Sequence, residues 1–361
     1  ATTEIYTLSL HDALPIYEVV IQNYTGTLAS EVILVSGAPT EIPAEILPYY
    51  TPGNGVVNSK LFAEVVDMER DAKITSSEVT AEEIYVHGGN TIDNSASGFV
   101  SVGDYILVSN NASVRGAFYL GYEPIHELSS DATADIAGSV DAIQGGSGNE
   151  QVNVSSSTAS IGAIDLGAGD NDTVNFSAGT FVDEELVIAN AEWINLADGA
   201  DVTVGSAAGY IDVLPGLNSK FTEVSDRMIT VGDWDMDISF ADGYTIRLNG
   251  RIDADATLTN NTVLLTDNSN YFTANIYLNG ANTFSVQDGV YDWYDYQQFK
   301  FSPGATLGFE LGTGSFFALD GFVNTNPADI VAVTEFGQNS GLGLADWVYI
   351  QNWDGAFSIT D

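Results

Sequence analysis

The chain of 361 residues contains no cysteine, only 9 Lys+Arg against 50 Asp+Glu, and no apolar run of eighteen residues. Each absence excludes a class of protein. Without cysteine there is no disulfide framework, no thiol chemistry and no Cys-ligated zinc. Nine cations against a formal net charge of −41 cannot build the basic face that nucleic acid or an anionic membrane surface requires. No segment has the length and apolarity of a membrane-spanning helix. Glycine, at 36 residues, is about a tenth of the chain and has no three-residue period, so collagen is excluded. Neither a Gly-x-Ser-x-Gly elbow nor a His-Glu-x-x-His helix nor a Gly-Lys phosphate loop occurs.

What is present is a chain with 45% hydrophobic residues, enough to bury a core. Short apolar runs recur throughout: Val32–Val35, Tyr105–Val108, Trp193–Leu196, Tyr244–Leu248, Val263–Leu265 and Trp347–Ile350. Gly, Asn, Asp and Ser punctuate them at spacings of about 8 to 12 residues, which reads as all-β. Helix signals are few. Ser59–Arg70 has good helix formers, although Val65-Val66 also suits a strand, and Thr80–Ile84 could close one turn. Residues 36–58 read as loop-rich.

The first sixteen residues, Ala1 to Ile16, resemble the translation of a short-read sequencing adapter, residue for residue. They are therefore set apart from fold reasoning. The expectation is that the native chain begins at Tyr17 within a longer reading frame, and that the C-terminus is cut as well.

Gly/Asp turns recur in the middle of the chain, at 145–153, 166–174 and 196–204. Gly146 and Gly167 are 21 residues apart, as are Asn261 and Asn282; Gly169 and Gly199 are 30 apart. Such periods suit one turn of a stacked coil. The reading is a right-handed parallel β-helix, or β-solenoid, with degenerate rungs. The alternative is a β-sandwich with long hairpins. The domain expectation is a β-rich part at 17–130 and a solenoid at 131–361, divided where small polar residues cluster near Glu127–Gly138.

The first turn resembles the RTX nonapeptide, Gly-Gly-x-Gly-x-Asp-x-apolar-x, with Glu150 in the Asp position. The second resembles it with Asp170 inserted; the third keeps only Gly199 and Asp201. That resemblance implies calcium, held by carbonyls and carboxylates at Gly146, Gly148, Glu150, Gly167, Gly169 and Asp172. The plain alternative is a metal-free corner. More broadly the chain resembles bacterial secreted repeat proteins, adhesins and autotransporter-like passengers. This implies a structural or adhesive role outside the cell, with surface glycans or host matrix proteins as partners.

Other constellations have a functional and a plain reading. Asp233, Asp235 and Asp237 alternate, so in a strand they would share one face, as a cation or sugar site or simply as a solvated surface. They are no EF-hand, since Ile238 and Tyr244 occupy the positions that need Gly and Glu. Tyr291, Trp293, Tyr294 and Tyr296 interleave with carboxylates, as a sugar platform or as packing. Acidic pairs such as Asp253 and Asp255 could serve a polysaccharide-degrading enzyme, but no motif selects one. His87 and His126 lack partners at ligand spacing and read as structural.

Overall fold

A computed structural model describes residues 72–123, 131–208, 212–265 and 271–286 continuously, with individual strands between Ile16 and Ile350 outside those ranges. The described residues are all β, with no helix. They divide into two compact units, Ala1–Asn195 with Val204–Asp212, and Leu196–Thr203 with Val213–Asp361. Each is built as a parallel β-solenoid. The residues before Ile16, the loop-rich stretch up to Gly55, and His126 lie outside the described residues.

In the first unit each turn lays down three short strand segments, and each segment pairs in parallel with its counterpart one turn later. One ladder stacks Val79, Val100 and Phe118. A second stacks Val66, Ile84, Ile106, Ala134, Val152 and Val174. A third stacks Ile74, Ile92, Val114, Val140 and Ile161. Every residue in these columns is buried. The cause is local: alternation of apolar and polar residues gives each segment one inward face, as in the BiBiB pattern of Ala132–Ile136. β-branched side chains fit the pleated surface, and each fully buried Val, Ile or Phe contributes about 1.5–3 kcal/mol. The period drifts: Lys73 pairs with Thr91, Thr91 with Ser113 and Ser113 with Ser139, separations of 18, 22 and 26 residues.

Parallel pairing is not confined to residues 131–361. Glu31–Val35, Lys60–Glu69, Glu78–Val86 and Phe99–Val108 already form it. Within the helix candidate Ser59–Arg70, Lys60–Glu69 is therefore a strand, and Thr80–Ile84 lies in the strand Glu78–Val86. Val66 and Met68 alternate inward and stack on Ile84 and Val86, so the ladder outweighs helix propensity. The 127–138 stretch itself holds a strand of this stack, Ala132–Ile136, which pairs with Phe99–Val108, Tyr105 opposite Thr133.

The second unit repeats the plan. Ile229, Ile246, Val263, Phe284 and Phe309 occupy one register column, with separations of 17, 17, 21 and 25 residues. Ile238, Ala256, Ile276 and Phe299 form another. The Phe272 and Phe284 rings meet edge to face at 6.1 Å inside this core.

The corner between the first and second ladders changes along the first unit. It is a single residue, Glu82, in one turn and Gly103-Asp104 in the next. In the following turn it holds an antiparallel hairpin of Tyr122–Glu123 and Leu128–Ser129. It then becomes the Gly/Asp turns at 145–149 and 166–172.

Candidate functional site

That corner gathers the most unusual electrostatics among the described residues. Gln151 pairs with Thr173, so Glu150 and Asp172 stand in register one turn apart. Both are fully buried. The Glu150 backbone N–H donates to Asp172 Oδ1 at 2.7 Å, and the Gly146 N–H donates to Glu150 Oε1 at 3.2 Å. The Asp172 N–H donates to Glu192 Oε2 at 2.7 Å, which extends the column by one more turn. Glu150 Oε2 and Asp172 Oδ2 are buried without a hydrogen-bond partner. Burial first, then the facing Asp172 carboxyl, pushes the Glu150 carboxyl up to about 8. Burial also raises Asp172, against the opposing pull of its hydrogen bonds.

The glycines of the motif make this close packing possible. Gly167 has φ +86°, and a Cβ there would strike the Gly146 carbonyl. A Cβ on Gly169 would strike the Gly148 carbonyl and the Asp172 carboxylate. The Gly146 carbonyl accepts the Ala168 N–H at 2.9 Å. The structure thus brings together all six residues to which the RTX resemblance points. Glu192 was missed by motif reading. The available signal is an acidic residue at the strand entry in three successive turns: Glu150 opens its strand, and Asp172 and Glu192 directly precede theirs.

Calcium takes six to eight oxygens. Of the six residues, Glu150 and Asp172 each offer one carboxylate oxygen with no hydrogen-bond partner, while the other oxygen of each and the Gly146 carbonyl accept N–H groups; the Gly148, Gly167 and Gly169 carbonyls complete the set. No group of three or more His, Cys, Asp or Glu side chains converges as a metal site among the described residues.

The third turn, in the second unit, is built differently. Gly199 donates its N–H to the Leu217 carbonyl at 2.8 Å, and Asp201 pairs with Lys220 at 3.2 Å.

The Asp233–Asp237 stretch is not a strand face but a corner, with only Trp234 in an isolated bridge to Ile252. Its carboxylates serve the next turn: Asp233 Oδ1 accepts the Arg251 N–H at 3.0 Å, and Asp237 Oδ1 accepts the Asp255 N–H at 3.3 Å. Asp255 in turn accepts the Asn275 N–H at 3.0 Å, and Asp253 pairs with Arg251 at 2.8 Å. Side-chain oxygens at corners replace the N–H acceptors that a continuous strand would supply.

The outward face of the second ladder carries stacked polar side chains. Asn153 Nδ2 donates to Asp135 Oδ1 at 2.7 Å, Asn175 to Asn153 at 2.8 Å and Asn195 to Asn175 at 2.9 Å. Earlier on this face the Tyr105 hydroxyl donates to Asp135 at 2.6 Å, and the Tyr85 and Tyr105 rings lie 5.7 Å apart. His87 Nε2 lies 3.2 Å from Asp67.

Tyr291 and Trp293 lie in the strand Val290–Trp293, in parallel register with Phe317 and Leu319. Tyr294 and Tyr296 lie outside the described residues, as do the side chains of Tyr291 and Trp293.

Scans against protein families, curated proteins and solved structures return no match. Fold and corner together define an acidic parallel β-solenoid protein.

Proposed function

We propose that this chain is a structural, surface-presenting solenoid that acts outside the cell in an adhesin-like role, with glycans or matrix proteins as partners. The observation that carries this reading is the outward ladder Asp135–Asn153–Asn175–Asn195, which repeats one polar chemistry at each turn. Neighbouring strands lie about 4.8 Å apart, so the ladder presents a linear, multivalent row of amide donors and acceptors. Such a row matches an extended partner with regularly spaced hydroxyls. The acidic surface adds solubility and repels like copies. The mechanism is geometric: stacked turns provide length and rigidity, and outward side chains provide contact.

A carbohydrate-binding module centred on Tyr291 and Trp293 is the second reading. It is favoured by the register of Tyr291 with Phe317 and Val348, and of Trp293 with Leu319 and Ile350, which repeats apolar and aromatic residues over three turns.

The test is a panel of neutral and acidic polysaccharides and matrix proteins, scored for binding and for release of reducing ends. Binding without turnover, weakened by Asn153→Ala with Asn175→Ala, supports the adhesive reading. Loss on Trp293→Ala alone supports the second. Release of reducing ends overturns both.

A further inference from the structure

The outward face of the second ladder changes character along the first unit. Its residues alternate with the buried column, so Tyr85, Tyr105, Asp135, Asn153, Asn175 and Trp193 stand on successive strands, each half-buried. At one end the Tyr85 ring lies 5.7 Å from Tyr105 and 6.3 Å from His87, the latter nearly parallel at 15°. At the other end Trp193 and Asn195 alternate with buried Ile194 and Leu196. The amide row runs between these rings. Its bonds point one way: Asn195, Asn175 and Asn153 each donate to the side chain one turn earlier, and the Asp135 carboxylate closes the row. The Tyr105 hydroxyl donates to the other oxygen of Asp135. Five strand spacings of about 4.8 Å separate the Tyr85 strand from the Trp193 strand, roughly 24 Å in all.

Carboxylates gather at the aromatic end of this face. Glu83 accepts the Tyr85 hydroxyl at 2.7 Å, Asp135 accepts the Tyr105 hydroxyl at 2.6 Å, and Asp67 lies 3.2 Å from His87. Neither Lys nor Arg occupies an outward position of these strands from Glu83 to Asn195. The Glu83 hydrogen bond first, then burial and the fields of Glu83, Asp67 and Asp104, hold the Tyr85 hydroxyl above its ordinary value. A carboxylate has about four acceptor sites, so the bonds already made leave room for further donors. Aromatic rings flanked by carboxylates attract a cation through both the ring quadrupole and the charge, and they repel an anion.

We propose that this face binds a polysaccharide of amino sugars with free amines, laid along the stack with sugar rings over Tyr85, Tyr105 and Trp193 and ammonium groups beside Glu83 and Asp135. The inference rests on the adhesive reading above and names its partner. Such a sugar brings three features to every position along the chain. Its C–H face covers an aromatic ring, its hydroxyls meet the amide row, and its ammonium answers the carboxylates. A lysine-rich peptide would use the carboxylates and leave the amide row idle. An acidic polysaccharide meets repulsion, and a neutral one leaves the charge unanswered. The rows are fixed by strand pairing, so little ordering is lost when an extended chain docks.

The experiment is titration calorimetry of the full chain at mildly acidic pH with glucosamine oligomers, the same oligomers N-acetylated, oligogalacturonate and oligolysine. The glucosamine oligomer is expected to bind at least about tenfold more tightly than its acetylated form, the difference one charged contact makes. Affinity should rise with oligomer length until the face is spanned, and oligogalacturonate should not bind. Glu83→Gln should reduce the preference for the amine and leave binding of the acetylated oligomer unchanged. Trp193→Ala should weaken both, with thermal melts confirming the fold. If Trp193→Ala does not fold, the wild-type preference and Glu83→Gln decide. Oligolysine bound as tightly as the glucosamine oligomer would overturn the proposal and assign the attraction to general acidity. Glucosamine binding unmoved by Glu83→Gln would also overturn it. Equal binding of the amine and acetylated forms would overturn it while the adhesive reading stands. With no glycan bound, the proposal falls, and the adhesive reading is then decided by the matrix proteins of the panel.

Discussion

Asn282 accepts the backbone N–H of Asn261 through its side-chain oxygen at 2.9 Å, one turn of the solenoid away. Both residues are buried, and Thr262 and Thr283 beside them are in register. The contact replaces a strand hydrogen bond at a point where the chain must turn. Asn282→Ala leaves that N–H without its acceptor, at a cost of about 1–3 kcal/mol in urea unfolding. Asn282→Asp keeps the acceptor but sets a carboxylate against the Asn279 carbonyl. It should destabilise the protein at pH 7 and recover as pH falls and the new carboxyl gains a proton.

Interior and exterior columns should respond on different scales. Phe118 is buried beneath Val100 in its ladder, and truncation opens a cavity. Phe118→Ala is expected to cost about 3–5 kcal/mol in denaturant unfolding. Asn153 is half-buried in the outward ladder and bonds Asp135 and Asn175. Asn153→Ala is expected to cost about 0.5–1.5 kcal/mol.

Two glycines separate backbone strain from collision. Gly167 and Gly199 both have positive φ, +86° and +76°. A Cβ at Gly167 meets the Gly146 carbonyl, whereas one at Gly199 meets open space. Gly199→Ala is expected to cost about 1 kcal/mol, the strain alone. Gly167→Ala should cost more, with the excess read in the same thermal melts.

Acid should act in the opposite sense at Asp93. The Ser95 hydroxyl, at 2.6 Å, and then the Ser95 N–H hold its carboxyl below the usual range. A lowered carboxyl contributes stability above its unfolded value and loses it as pH falls through the folded one. Ser95→Ala should return the Asp93 titration toward the ordinary carboxylate range, as followed by NMR.

The fold was legible in the sequence because its signals repeat. The 21-residue interval from Asn261 to Asn282 is one turn of the second unit, and the two side chains bond across it. Gly146 and Gly167, equally spaced, meet at one corner. The strand at Lys60–Glu69 was less legible, because its Glu, Lys and Met residues favour a helix in isolation and only the neighbouring turns make a strand of it. The Asp233–Asp237 stretch misled for a related reason. Alternation fits a strand, yet the carboxylates serve as acceptors for backbone groups about 18 residues on, a tertiary role that no local pattern encodes. At the acidic corner the motif pointed to the right residues. Their partnerless oxygens could be seen only once Asp172 was placed against Glu150.

The parallel, in-register stack underlies every statement above. Ser113, Ser139 and Ser160 occupy one register column. The absence of native cysteine allows clean labelling at these positions. The most direct test is electron paramagnetic resonance of the Ser139→Cys/Ser160→Cys chain carrying a nitroxide at each site. Labels one strand spacing apart, about 4.8 Å, should collapse the spectrum by spin exchange. Ser139→Cys with Asn175→Cys, on a different ladder, should keep resolved lines. Resolved lines from the Ser139/Ser160 pair would contradict the solenoid.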